Sequence, residues 1–259
     1  MKVKPIRAAL LLSAVILLTG MHCSAAADQR VPLDSGVVRV DFSWQQHHFT
    51  AIEVDLRQAH LRLFWKARDG TRFGTFDRLK AELKRSGERL VFATNAGIFE
   101  PGFTPTGLHV EDGHERVPLN RREGAGNFYL KPNGVFFVDS SARIVETAKY
   151  PGTAASIRLA TQSGPLLVRD GKINQQFDRH SRNTRIRSGV GISGPQHVWF
   201  VLSNEPVTFF QLASVFGEKL DCRNALYFDG AISKFYPPVE QTGGVQSEFA
   251  GIFAVVAGK

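Results

Sequence analysis

The stretch Arg179 to Ser193, RHSRNTRIRSGVGIS, carries Arg179, Arg182, Arg185 and Arg187 within nine residues and then reaches Gly189-Val190-Gly191. Three explanations compete for so much fixed charge: a solvated loop, a nucleic-acid patch, or a site for one small anion. If Asn183 to Ile192 runs extended, alternation puts Asn183, Arg185 and Arg187 on one face. Thr184, Ile186 and Ser188 take the other. Two guanidiniums and an amide facing one way suit a tetrahedral anion, because guanidinium presents a planar fork of donors that matches phosphate or carboxylate. Nucleic-acid binding calls for basic residues spread along a surface with exposed aromatics to stack on. Here the aromatics are mostly Phe inside apolar runs, so no nucleic-acid partner is expected. Arg179 and Arg182 lie on the hydrophilic approach and are read equally well as solvated loop.

A second pattern repeats along the chain. An apolar run ends, and small and polar residues follow at once. This happens at Thr94-Asn95-Ala96-Gly97, around Thr161-Gln162-Ser163-Gly164-Pro165, and at Asp229-Gly230-Ala231-Ile232-Ser233. Each alone reads as an ordinary turn. Together, beside the arginines, they read as a site, because loops at strand ends converge while a sheet stays rigid. One reaction would use such a set: cleavage of a sugar joined through its anomeric carbon to a phosphodiester. The leaving phosphate monoester is a weak base and needs little proton donation. Arginine can stabilise it as charge develops. One carboxylate can serve as nucleophile or as base for water. Arg187 with Asp229 meets that need without a metal. His47, His48, His60, His109, His114, His180 and His197 are scattered and form no HExxH-like spacing, so no metal is expected. No GxGxxG or GxxxxGK[ST] loop is present, and no cofactor is expected.

The elements that must hold these residues read as mostly strands. Val37–Phe42, Phe49–Leu56, Leu61–Trp65, Arg89–Thr94, Gly107–Val110 and Gly134–Val138 are short apolar or alternating runs. Leu166–Arg169 precedes an Asp170-Gly171 hairpin turn. Val190–Ile192, His197–Leu202, Ala225–Phe228 and Gly251–Val256 complete the set. Thr75–Ser86 reads as a helix with Phe76, Leu79 and Leu83 on one face and Gly87 as its stop. A second helix is expected from a Ser203 or Asn204 cap, with Pro206 in its first turn, to about Leu220. The fold class is therefore α/β or α+β: a single strand-rich domain with few helices.

The N-terminus MKVKPIR, the apolar run Ala8–Leu18 and the small-residue run Ala25-Ala26-Ala27 predict a secretory signal peptide over residues 1–27. The apolar run is too short to span a bilayer comfortably. His22 before Cys23 departs from a lipobox, which disfavours a lipid anchor. The expected mature chain, 28–259, is periplasmic or secreted and has no transmembrane anchor. Loss of Lys2, Lys4 and Arg7 lowers the net charge from +8 to +5, too modest to argue for nucleic acid by itself. Cys222 is then the only cysteine, and its neighbours do not resemble a nucleophile site. Nothing in the sequence sets an oligomeric state.

Five segments occur in order: TNAGIFEPGFTPTGLHVEDG, GNFYLKPNGVFFV, ATQSGPLLVRDG, IRSGVGIS and CRNALYFDGAISKFY. Together they resemble the phosphodiester glycosidase family, over roughly Val37 to the C-terminus. The resemblance implies a mixed sheet with helices and a glycan or sugar-phosphodiester substrate, drawn from envelope or exopolysaccharide glycans. The family's Asn-Gly-Gly-Phe-like element falls on Asn95-Ala96-Gly97-Ile98-Phe99 and its Ser-Gly-Gly-Pro-like element on Ser163-Gly164-Pro165. Its Arg-Thr-Ala-x-Gly element falls on Arg187 to Gly191, and its Leu-Asp-Gly-Gly-Ser element on Phe228 to Ser233, with Asp229, Gly230 and Ser233 in place. Ala96 and Ala231 replace glycines, which suggests a substrate different from that of the family's animal members. On this resemblance Arg187 binds the phosphodiester with Arg185 assisting, and Asp229 is acid/base or nucleophile. Asn95 positions sugar hydroxyls or phosphate. Thr161, Gln162, Ser163 and Gly164 line the pocket, and Glu100 is the best second carboxylate. His109 and His180 are held in reserve. Two other readings remain: a non-catalytic binder of anionic glycan, and a phosphodiesterase that breaks P–O.

Overall fold

A computed structural model describes residues 27–152, 156–230, 232–242 and 248–258. The expected signal peptide up to residue 26, Cys23 within it, and Ala231 lie outside the described residues. The chain begins with strands β1 (Gln29–Asp34), β2 (Val37–Trp44), β3 (His47–Asp55) and β4 (His60–Phe64). Helix α1 (Phe76–Arg85) leads into β5 (Arg89–Asn95), the short ribbon β6 (Phe99–Glu100) and β7 (Thr104–Pro105), and then β8 (His109–Glu111) and β9 (His114–Val117). Next come β10 (Gly134–Val138), β11 (Ala142–Glu146), β12 (Leu159–Ser163), β13 (Leu166–Arg169) and β14 (Lys172–Ile173). The last third holds β15 (Ser188–Gly194), β16 (His197–Ser203), α2 (Phe209–Ser214), β17 (Asn224–Tyr227), β18 (Phe235–Tyr236) and β19 (Ile252–Ala257).

These strands form an eight-stranded sheet ordered β1-β2-β3-β16-β15-β17-β13-β14, a five-stranded sheet β11-β10-β12-β8-β9, a four-stranded sheet β18-β5-β19-β4, and the β6–β7 ribbon. Strand-rich with few helices is what the sequence predicts. The mixed sheet implied by the resemblance is not found. Among the described residues every pairing of these strands is antiparallel. Parallel neighbours need long crossover connections, usually helical, and this chain joins its strands largely by hairpins.

Helix α1 forms where its spacing predicts. Thr75 Oγ1 accepts from Arg78 N, Leu79 and Leu83 are buried, and Lys84 and Arg85 sit favourably in the last turn. Gly87 just beyond it, at φ 74°, takes the left-handed conformation that ends the helix. Helix α2 starts later than expected. Val207 bridges Arg185 in extended conformation, so the helix begins after Thr208, whose side chain and Gln211 form a reciprocal capping box. Beyond Ser214 the helix relaxes into a π turn over Val215–Lys219.

The main core lies where the three large sheets meet. Phe92, Phe136, Phe200, Phe228 and Phe253 are each fully buried there. Phe253 stacks on Phe228 at 5.5 Å and lies 5.5 Å from both Phe136 and Phe200, while Phe92 lies 5.3 Å from Phe200. On the opposite face of the eight-stranded sheet, Phe216, Leu212, Tyr227 and Cys222 form a second core. Gly189 and Gly191 open that face. A Cβ on Gly189 would lie 2.7 Å from Leu226 O, and one on Gly191 would lie 2.5 Å from Phe216. Gln162 is the main polar tie of the five-stranded sheet. Its Oε1 accepts from Leu108 N at 3.1 Å and Asn120 N at 2.8 Å, and its Nε2 donates to Asn120 O at 2.7 Å and Thr147 Oγ1 at 3.2 Å.

Two stability measurements follow. Gly189→Ala forces a methyl against a strand carbonyl that cannot move, and is expected to lose about 1–3 kcal/mol in urea unfolding. Gln162→Ala strands four buried polar groups and is expected to lose about 2–4 kcal/mol. A loss below about 0.5 kcal/mol, the scale of an inert surface change, would contradict either account.

Candidate active site

The site grows out of one register. β15 pairs with β17 so that Gly189 faces Tyr227. Ser188 N donates to Asp229 O at 3.2 Å, and Phe228 N to Ser188 O at 3.0 Å. Stepping by two along each strand, Arg187 shares the face of Gly189 and Gly191, and Asp229 that of Tyr227 and Ala225. Leu226 and Phe228 point into the main core instead. The alternation that packs Phe228 inside therefore presents Asp229 beside Arg187. Arg187, Arg185, Asn183, Tyr227, Asp229, Gly230 and Asn127 together line a cavity of about 240 Å³. The face predicted from the arginine run is thus present, with Asn183, Arg185 and Arg187 on the same cavity.

Arg187 is the largest of the fully buried side chains, only 1% exposed. Its three side-chain hydrogen bonds go to neutral oxygens: Nε to Val207 O at 2.8 Å, Nη2 to Asn183 O at 3.1 Å and Nη1 to Tyr227 Oη at 3.4 Å. Its guanidinium carbon lies 3.8 Å from the centroid of the Phe209 ring. A desolvated cation over an aromatic face gains about 2 kcal/mol. Phe209 is itself wedged between Phe177, stacked at 5.1 Å, and Tyr227, edge-on at 4.8 Å. Burial lowers the Arg187 pKa from its ordinary value, yet the group stays a cation at neutral pH. Burial also pushes the Tyr227 phenol far above its usual range; Arg187 opposes that shift and Asp229 reinforces it. Tyr227 therefore remains protonated, a hydrogen-bond donor at the cavity wall.

Behind Asp229 lies a polar chain. Ser233 Oγ donates to Asp229 O at 2.5 Å and lies 2.9 Å from Ser188 Oγ. Ser188 Oγ in turn lies 3.4 Å from Asn95 Oδ1, which also accepts from Lys234 N at 3.4 Å. Asn95 is 1% exposed, and these are long bonds, so its amide is loosely held. Gly230 has no room for a side chain: a Cβ there would lie 2.4 Å from Tyr227 Oη. Gly97 is equally constrained, with a Cβ position 2.6 Å from Gln162 O and 3.1 Å from Thr161 Oγ1. Ser163 Oγ donates to Phe228 O at 3.2 Å and so ties β12 to the start of the Asp229 turn.

The other expected site residues are placed differently. Gln162 spends its side chain on the sheet tie described above. Gly164 abuts Phe128 O and Asn133 Cβ. Glu100 is exposed on the β6–β7 ribbon and is not among the residues lining the cavity. Ala96 is buried in the main core against Gly251, so its methyl is a packing group. His109 is buried and bonded through Nε2 to Glu111 at 2.9 Å, and His180 is exposed on the arginine loop. Among the described residues no three His, Cys, Asp or Glu side chains gather in a way that could hold a metal ion. None of their helices is long and apolar enough to cross a membrane. Sequence reasoning missed Tyr227, Asn127, Ser188 and Phe209. Counting back by two from Asp229 would have found Tyr227.

Comparison with known proteins bears on this geometry. The model of the phosphodiester glycosidase family matches residues 88–236. The chain is 33% identical over 186 residues to the uncharacterized protein YigE of Escherichia coli (strain K12), covering 72% of this chain and 73% of that one. The catalytic domain of zebrafish N-acetylglucosamine-1-phosphodiester alpha-N-acetylglucosaminidase, auto-inhibited by its pro-peptide, superposes with a TM-score of 0.54 at 14% identity, over 88% of this chain and 87% of that one. A hypothetical protein from Synechocystis superposes with a TM-score of 0.55 at 12% identity over 90% of this chain, which spans 64% of that longer one. The two structural likenesses speak for the fold. With the family model covering more than half of its length, and that relative alongside, this chain belongs to the phosphodiester glycosidase family.

Proposed function

We propose that the Arg187 cavity is the active site of a hydrolase that breaks the glycosidic C–O bond of a sugar 1-phosphodiester. The observation that carries this reading is a buried guanidinium, fixed by neutral oxygens and an aromatic face, sharing a small cavity with one carboxylate. A cation held this way does not need to reorganise when an anion arrives, which is the condition for strong stabilisation of developing charge. Arg187 and the Tyr227 hydroxyl take the phosphate oxygens, and Arg185 adds charge at the mouth. Asp229 faces the anomeric carbon as nucleophile or as base for water. The C1–O bond breaks with its electron pair leaving on the phosphate oxygen. Water supplies the remaining atoms, giving free sugar and a phosphate monoester. Ser188 and Ser233 hold the Asp229 backbone, with Asn95 behind them. The basic, then apolar N-terminus supports export, and an envelope or exopolysaccharide glycan fits that setting.

The test uses a methyl diester of N-acetylglucosamine 1-phosphate, with sugar and phosphate monoester assayed separately. Arg187→Met and Asp229→Asn are each expected to lower kcat/KM roughly a hundredfold or more, on the scale of a lost oxyanion donor. Tyr227→Phe, which deletes one hydrogen bond to a charged group, is expected to cost roughly tenfold. In isotope-labelled water the label should enter the sugar; label in the phosphate would mean P–O cleavage. Near-normal rates in both the Arg187 and Asp229 variants would sink the assignment.

A further inference from the structure

We infer that the substrate is a polyanionic, phosphodiester-linked glycan chain, led to the cavity along a basic track formed by two loops. The inference rests on the reading of the cavity as a phosphodiester site. That cavity, at about 240 Å³, is smaller than the roughly 300–1,000 Å³ of pockets that enclose a whole small ligand. Much of the substrate therefore lies outside it. What lies outside is set by the loop 118–133 before β10 and the loop 174–187 before β15. Both reach the cavity, through Asn127 and through Asn183 and Arg185. Both also reach a cleft of about 450 Å³ lined by Arg121, Lys131, Asn133 and Gln176, with one acid, Glu146, that is already paired to Lys149 and Arg169. Pro132 and Gln176 continue into a further cleft of about 510 Å³ with Lys172, Asp170 and Arg169, the last paired to Glu146.

The charge on these two loops is one-sided. They carry Arg121, Arg122, Lys131, Arg179, Arg182, Arg185 and Arg187 against Glu123 and Asp178. The Asp178 carboxylate is engaged locally, accepting from His180 N at 2.8 Å. Elsewhere arginines pair with acids, as in Arg57–Asp55, Arg62–Glu88 and Arg85–Glu82. Among the described residues no such ion pair forms at Arg121, Arg122, Lys131, Arg179 or Arg182. Two loops carrying seven cations against two acids present a net positive field, which concentrates an incoming polyanion. A chain of repeated phosphodiesters meets that field at several points. A nucleic acid would also want open aromatic faces for its bases. Here Phe128 is buried, Tyr129 packs on it at 5.0 Å, Phe177 stacks on Phe209, and Arg179 covers Phe210 at 4.6 Å. The track lacks a platform for bases.

The test is fluorescence anisotropy of the full chain with a labelled glycerol-phosphate hexamer, competed by a single methyl glycerol-phosphate diester. The hexamer should bind about thirtyfold tighter or more, and log affinity should fall against log salt with a slope of about −2 to −3, as three or four phosphate contacts require. The combined variant Arg121→Gln, Lys131→Gln, Arg179→Gln and Arg182→Gln should lose about tenfold or more of hexamer affinity. Its turnover of the small sugar diester should stay within about twofold. The matching Arg→Lys set, with Lys131 kept, should retain binding, which separates charge from folding. Equal binding of hexamer and single diester, an unaltered quadruple variant, or an equally tight single-stranded oligonucleotide of the same charge would each overturn the inference. If the hexamer binds as described but no small diester is cleaved, the track stands and the proposed reaction falls.

Discussion

The knot of Phe92, Phe136, Phe200, Phe228 and Phe253 is what the rest of the molecule depends on. Each ring comes from a different strand or strand end, and together they join three antiparallel sheets that otherwise share few main-chain bonds. Aromatic rings bury large areas and favour stacked or edge-on contacts, so such a knot sets angles as well as distances. Its geometry decides where the strands end. Phe228 is locked into it, and the next residue is Asp229. β5 carries Phe92 into it and ends at Asn95. The polar residues of the site are in this sense the first residues after the core releases the chain.

Placing Arg187 inside is the costly part of the design. A buried charge is unfavourable unless other groups replace its hydration. Here three oxygens and the Phe209 ring do so. Phe209 opens α2, and Thr208 caps that helix. The short helix therefore does two things: it packs Leu212 and Ala213 into the second core, and it braces one ring that in turn braces one guanidinium. The glycines at 189 and 191 belong to the same arrangement. They let Phe216 close on the sheet, so the second core can sit against the face that carries the cation.

The parts of this that period and punctuation govern were legible from sequence. α1 forms between its Thr75 cap and Gly87 stop, and the step of two from Asn183 to Arg187 brings three side chains to one cavity. What depends on distant partners was not. The start of α2 is set by Val207 pairing with Arg185, a contact far along the chain. β12 reads as a polar loop because Thr161, Gln162 and Ser163 are polar, yet all three are buried, and the Gln162 and Ser163 side chains are bonded within the fold. Gln162 looked like a ligand group for that reason and serves the sheet instead. Tyr227 was hidden inside an apolar run. Only the strand register shows that it faces the same way as Asp229 while Phe228 faces the opposite way.

Cys222 carries a consequence of a different kind. Its sulfur sits against the Gly191 backbone in the second core, and burial pushes its thiol far above the usual range. Only thiolate reacts at a useful rate, so the folded chain withholds this group from oxidants and from other chains. The same seclusion makes it a built-in clock. Alkylation of Cys222 requires an opening that frees it from Phe216 and the second core. In a chain lacking residues 1–27, where Cys222 is the one thiol left, its labelling rate follows how often that packing opens.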